Sequence, residues 1–193
     1  MYATVSPLTV VNPGAIVSKR TLKGKLPIRR LKLPNENPRD GFSKIVYPEN
    51  LRSSPNGWTN GYILIGNNVE AVAEGYMTFE TTTRGIFKGF LIPHHHQRPP
   101  QNLLAGAINA FYVANMVHDV LYHTASTEPA GNFQWDNFGR GGIDRDPVII
   151  NVQSSKEKNA ASFNTFPDGQ SGVLNLHIYT ATKPNRDPAL DNT

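Results

Sequence analysis

The sequence predicts an α+β fold with mostly antiparallel strands, one long buried helix and a large share of loop. Three observations predict it. Residues 102–123 hold the clearest helical periodicity in the chain. Short β-like runs lie on both sides of it, each closed by turn residues. The 193 residues include 16 glycines and 15 prolines, a loop-rich balance below the level of low-complexity sequence.

Along the chain, residues 8–11 and 44–47 are short β-like runs. They are separated by the turn signals Asn12-Pro13-Gly14, Asn37-Pro38 and Ser54-Pro55-Asn56-Gly57. Residues 61–65 and 77–79 are strand-like, and 69–73 fit either helix or strand. Gly66-Asn67-Asn68 between them forms a turn, and 86–92 is a further strand. His94 to Pro100 forms a polar loop closed by two prolines.

The helix follows, with Asn102 placed to cap its first turn. One stripe runs Leu104, Ile108, Phe111, Asn115, His118, Tyr122. The next runs Leu103, Ala107, Ala110, Ala114, Val117, Leu121. Two adjacent stripes predict a wide buried face. Residues 127–146 form a Gly/Asn/aromatic loop. Residues 148–152 are a strand, apolar almost throughout, and 159–163 are a short one. Pro167-Asp168-Gly169-Gln170 is a turn. Residues 173–180 alternate with period two, which places His177 on a polar, surface-facing side. The tail from Lys183 is polar and turn-rich.

Composition bounds the function. The length suffices for a real core, with 38% hydrophobic and 18% charged residues. The formal charge is +4, and much of the excess sits in Lys19, Arg20, Lys23, Lys25, Arg29, Arg30 and Lys32. No aromatics interleave with this run to stack on bases, so no nucleic-acid partner is expected. The absence of cysteine excludes disulfides and thiolate metal sites. No run reaches membrane-spanning length, so no membrane partner is expected. The first residues lack a basic segment followed by a long apolar one, so they do not form a signal peptide; an exported form would need a targeting segment from elsewhere.

Histidines are the first candidates for chemistry. A zinc-peptidase helix uses H-E-x-x-H, with ligands four residues apart on one face. His118 and His123 are five apart, which at about 100° per residue separates them by roughly 140°. Asp119 replaces the glutamate. His118 therefore reads as a hydrogen-bonded core histidine, with Asn115 one turn earlier as a candidate partner. His94 and His96 point to one side of an extended segment, in a pattern that suits a metal given a third ligand. Asp144 and Asp146 are candidate calcium ligands without EF-hand spacing, and read otherwise as solvated turn acids. Neither a nucleotide-binding glycine motif nor a G-x-S-x-G elbow occurs. The residues alone spell no complete catalytic set.

A set of ordered motifs goes further. It comprises Ala107-Ile108-Asn109-Ala110-Phe111-Tyr112, Asn115-Met116-Val117-His118-Asp119-Val120-Leu121-Tyr122, and Thr127-Glu128. It continues with Ala130-Gly131-Asn132-Phe133-Gln134, Asn137-Phe138-Gly139-Arg140-Gly141-Gly142, Pro167-Asp168-Gly169-Gln170, and Lys183-Pro184-Asn185-Arg186-Asp187. Their order and spacing from about residue 105 onward resemble the fungalysin family of secreted fungal zinc metallopeptidases. Weaker matches lie at Tyr47-Pro48, at Gly57-Trp58-Thr59 and at Gly66-Asn67-Asn68. The resemblance implies the N-terminal lobe of a thermolysin-like domain over 41–193, preceded by a poorly matching, basic, flexible segment over 1–40.

The resemblance further implies a secreted endopeptidase in which zinc activates water against protein or peptide substrates. In that family an H-E-x-x-H helix follows shortly after the Ala189-Leu190 region. The expectation is that the zinc ligands and catalytic glutamate belong to a C-terminal half of the domain, and that this chain alone is inactive. No catalytic or metal residue is carried over. One site segment is: the family's Asn-Ala-Asn-Phe-like edge strand, which pairs with substrate backbone, falls on Ala160, Ala161, Ser162 and Phe163. Both asparagine positions have changed, to Ala160 and Ser162. The alternative is a truncated, non-catalytic homologue acting as a binding or decoy module.

Overall fold

In a computed structural model, the structure describes residues 30–34, 42–59, 61–73, 77–79, 81, 84–88, 100–181, 185 and 187. Among the described residues, eight strands and one long helix follow in the order β1 (Arg30–Pro34), β2 (Phe42–Ile45), β3 (Val69–Ala73), β4 (Met77–Thr78), β5 (Ile86–Lys88), α1 (Pro100–Tyr122), β6 (Val148–Ser154), β7 (Ala161–Asn164) and β8 (Val173–His177). A short 3-10 helix, Glu128–Ala130, lies between α1 and β6. The run at 8–11 and the histidines at 94–96 lie outside the described residues.

The main sheet has the order β4-β3-β6-β8-β7, and a smaller one the order β2-β1-β5. The expected mostly antiparallel arrangement is corrected: β3, β6 and β8 run parallel, and only the edge pairs β3–β4 and β7–β8 are antiparallel. The small sheet is likewise mixed. A parallel pair needs a long crossover, usually helical. Residues 74–147, which contain α1, provide it between β3 and β6. The basic 1–40 segment, expected to be a flexible lead, contains β1 at Arg30–Pro34. Its Arg-Leu-Lys-Leu order alternates with the period of a strand.

The core forms where α1 lies on β3 and β6. Trp58, Leu64, Val69, Ala71, Phe87, Ala107, Ile108, Phe111, Ile150 and Val152 all lie in one buried cluster. The ambiguous 69–73 segment is a strand because it is buried along most of its length, and such strands lose their alternation. The helix begins at Pro100, so Asn102 lies inside the first turn rather than at the cap. Proline is suited to that start, since its missing N–H would be unpaired there anyway.

The predicted wide buried face holds only for the first half of α1. Ala107, Ile108, Ala110 and Phe111 are buried, and Asn115 of the first stripe stays buried, but Val117 and Leu121 of the second are exposed. The segment 61–65 is not a strand; it makes isolated bridges, one of them Ile65 to Glu70. Gly66 donates its amide to Val69 O at 2.9 Å and closes the turn onto β3. A Cβ on Gly66 would sit 1.5 Å from the Trp58 carbonyl oxygen, so only glycine fits.

Candidate functional site

β7 lies at the end of the main sheet, with β8 on one side. Among the described residues no strand pairs its other side. It is largely exposed, as an edge strand is. His177 N donates to Ala160 O at 3.2 Å. Antiparallel ladders alternate bonded and non-bonded pairs, and Ser162 stands opposite Asn175. Residues 160 and 162 therefore bond inward to β8. The backbone N–H and C=O of Ala161 and Phe163 turn to the open edge, where they match the requirement for adding a further strand.

Phe163 is half-exposed. Its ring meets Phe133 edge-on at 6.1 Å between centroids, an arrangement favoured by the ring quadrupoles. Gly172 lies beneath both rings; a Cβ there would come within 2.9 Å of Phe163 Cζ and 3.1 Å of Phe133 Cε1. The Gly/Asn/aromatic loop thus supports the edge strand through Phe133.

Two buried carboxylates fix the loops around this framework. Asp119 accepts the Asn50 amide at 2.9 Å, Ser53 Oγ and Ser54 Oγ at 2.7 Å each, and the Trp58 indole N–H at 2.8 Å. His118 Nδ1 lies 3.2 Å from its Oδ1. Burial pushes the carboxyl up; the bonds from His118, Ser53, Asn50 and Ser54 outweigh it and hold it below the usual range.

The expected His118–Asn115 pair is not formed. Asn115 instead donates to Phe111 O at 2.9 Å and accepts from Asn68 Nδ2 at 3.2 Å. Asn68 also donates to Ser54 Oγ at 2.8 Å, and Gln134 Nε2 donates to Asn68 Oδ1 at 3.3 Å. One buried polar network therefore joins α1, the 50–58 loop, the 66–68 turn and the Gly/Asn/aromatic loop. A lone acid in a helix with no other Asp, Glu, Lys or Arg is the sequence signal that could have found it. Such a group is either solvated or fully hydrogen-bonded.

Asp146, expected as a solvated turn acid or calcium ligand, is buried. Its two oxygens accept the Gln134 and Gly169 amides at 2.9 and 3.0 Å. Desolvation raises its proton affinity above the usual carboxylate range against those two bonds, with Asp168 adding to the rise. Asp144 is exposed and accepts the Asn137 amide at 2.6 Å. Glu128, 1% exposed, accepts from Tyr122 OH at 2.9 Å and Arg140 Nη1 at 3.1 Å.

His177 is corrected from surface to buried, at 2% exposure, with Nδ1 3.2 Å from Ser154 O. Both faces of β8 are covered, so its polar side is not solvent-facing.

His118 is bound to Asp119 and His123 Nε2 lies 2.7 Å from Asn50 Nδ2. No group of three His, Asp or Glu among the described residues could hold a metal ion. No helix among them is long and apolar enough to cross a membrane.

Comparison with known families decides the identity. Residues 29–193 match the fungalysin metallopeptidase (M36) family. The chain belongs to that family. Among its relatives, a probable extracellular metalloproteinase 5 of Arthroderma benhamiae is 37% identical over 172 residues, covering 83% of this chain and 27% of the relative. Extracellular metalloproteinase 5 of Arthroderma otae is 38% identical over 170 residues, with 82% and 27% covered. Extracellular metalloproteinase MEP of Pyricularia oryzae is 38% identical over 157 residues, with 75% and 24% covered. The chain thus spans about a quarter of the length of the curated relatives it matches. Fungalysin relatives are metalloproteinases named as extracellular, and protein substrates and a metal cofactor follow for the family.

Proposed function

We propose that this fungalysin chain supplies the substrate-pairing side of a secreted zinc endopeptidase cleft, in the N-terminal lobe of a thermolysin-like domain over 41–193. The observation that carries this is the open edge of β7. There the outward backbone groups of Ala161 and Phe163 fall on the family's strand-pairing segment. Main-chain bonds to an added strand supply affinity whatever the side chains, so the changes to Ala160 and Ser162 leave this mode intact.

An extended casein-derived peptide should bind the chain and perturb the Ala161 and Phe163 amide resonances. Ala161→Pro removes one outward donor without breaking a bond to β8, and proline is tolerated at the first residue of a strand. It should weaken the peptide roughly tenfold, while Ala161→Val binds as before. Equal binding by the proline variant would refute the edge-pairing role.

The chain by itself does not hydrolyse peptide bonds in this reading, because its 193 residues contain no H-E-x-x-H. Zinc and water activation belong to the C-terminal half of the domain. Chelator-sensitive casein hydrolysis by the purified chain would overturn this.

A second reading, a non-catalytic binding or decoy module, draws on the same pairing of a substrate strand with a missing motif. The coding sequence beyond Thr193 separates the two. An in-frame H-E-x-x-H supports the peptidase lobe, and a stop codon supports the module.

A further inference from the structure

Three adjacent strands of the main sheet carry a polar side chain at the same level. Asn151 on β6 stands opposite Asn175 on β8, and Asn175 opposite Ser162 on β7. Residues in register share a face, and the side chains meet. Asn151 Nδ2 donates to Asn175 Oδ1 at 2.8 Å, and Asn175 Nδ2 donates to Ser162 Oγ at 3.4 Å. Asn175 is buried, so its amide depends on protein partners. The ladder starts on the central strand of the sheet and ends on the edge strand.

We infer that Asn175 and Ser162 are positioning residues for substrate: the Asn151–Asn175–Ser162 ladder holds β7 flat against β8, so that the outward groups of Ala161 and Phe163 stay aligned for an incoming strand. This rests on the edge-pairing reading above. Neither residue touches the peptide. A preorganised edge binds without first being ordered, which is where the ladder contributes to affinity. Residue 162 bonds inward through its backbone, so its side chain reinforces the pair that sits between the two outward-facing residues.

Ser162→Ala removes the last rung, and Ser162→Thr keeps the hydroxyl on a residue that favours strands. One such bond corresponds to about a fivefold change. In Ser162→Ala the Ser162 and Asn164 amides should exchange about fivefold faster, with a shift in the Asn175 side-chain amide resonances. The casein-derived peptide should bind about fivefold more weakly, measured well below the melting temperature of both proteins. Ser162→Thr should restore both.

Unchanged exchange in Ser162→Ala, no rescue by threonine, or an unchanged peptide affinity in Ser162→Ala would each overturn the inference. If the unaltered chain binds no peptide, the edge-pairing reading falls and takes the substrate role of the ladder with it. The exchange measurements still decide whether the ladder holds β7.

Discussion

Asp119 and Asp146 are both buried carboxylates that tie a long loop to the framework, yet their proton affinities move in opposite directions. Asp119 gathers two hydroxyls, an indole N–H, a backbone amide and a histidine nitrogen. Asp146 has two loop amides and a neighbouring acid, Asp168. Burial opposes the charge in both. The number and strength of the donors decide whether it prevails. Asp119 is therefore an anchor whose charge its donors favour, whereas in Asp146 burial outweighs the two amides that hold it.

The largest test of this contrast is Asp119→Ala. It leaves several buried donors without an acceptor and should cost about 3–5 kcal/mol, measured by urea unfolding. Asp146→Ala strands two amides and should cost less, about 1–3 kcal/mol. Ser53→Ala removes one of the donors to Asp119 and should cost about 1 kcal/mol.

Acid sharpens the comparison through its sign. The folded state holds Asp119 below its unfolded value near pH 3.9. Its contribution is present above that value and is lost as pH falls through the lowered one. The folded state holds Asp146 above its unfolded value, so its ionisation costs stability as pH rises through that range. In acid melts, Asp119→Asn should flatten the loss of stability below about pH 4, and Asp146→Asn should make stability fall more steeply on acidification at and above about pH 4. Parallel curves for the two variants would remove the distinction.

Much of the framework was legible in sequence. The run around Phe111 is apolar enough to fix α1, and residues 148–152 and 173–180 have strand patterns. Strand direction was not legible, because alternation reports faces and not partners. His177 was misplaced for a related reason. Alternation sorts β8 into two sides but cannot say that both are covered. The exposed Val117 and Leu121 failed in the opposite sense, since an apolar stripe reads as buried whether or not anything covers it. A short strand at 159–163 was legible in the residues themselves; the expectation that it forms a sheet edge came only with the family resemblance. The network around Asp119 was missed because its members come from segments far apart in sequence.

The tight contact at Gly66 also bears on how this sequence can drift over generations. Any replacement at 66 drives a carbon into the Trp58 carbonyl. That carbonyl cannot easily retreat, because the same tryptophan is bonded through its indole to Asp119 and stacked edge-on against Tyr112. The contact is with main-chain atoms, which every residue type at 58 would carry, so no substitution there relieves it. Across descendants of this gene, position 66 should therefore stay glycine whatever side chain stands at 58.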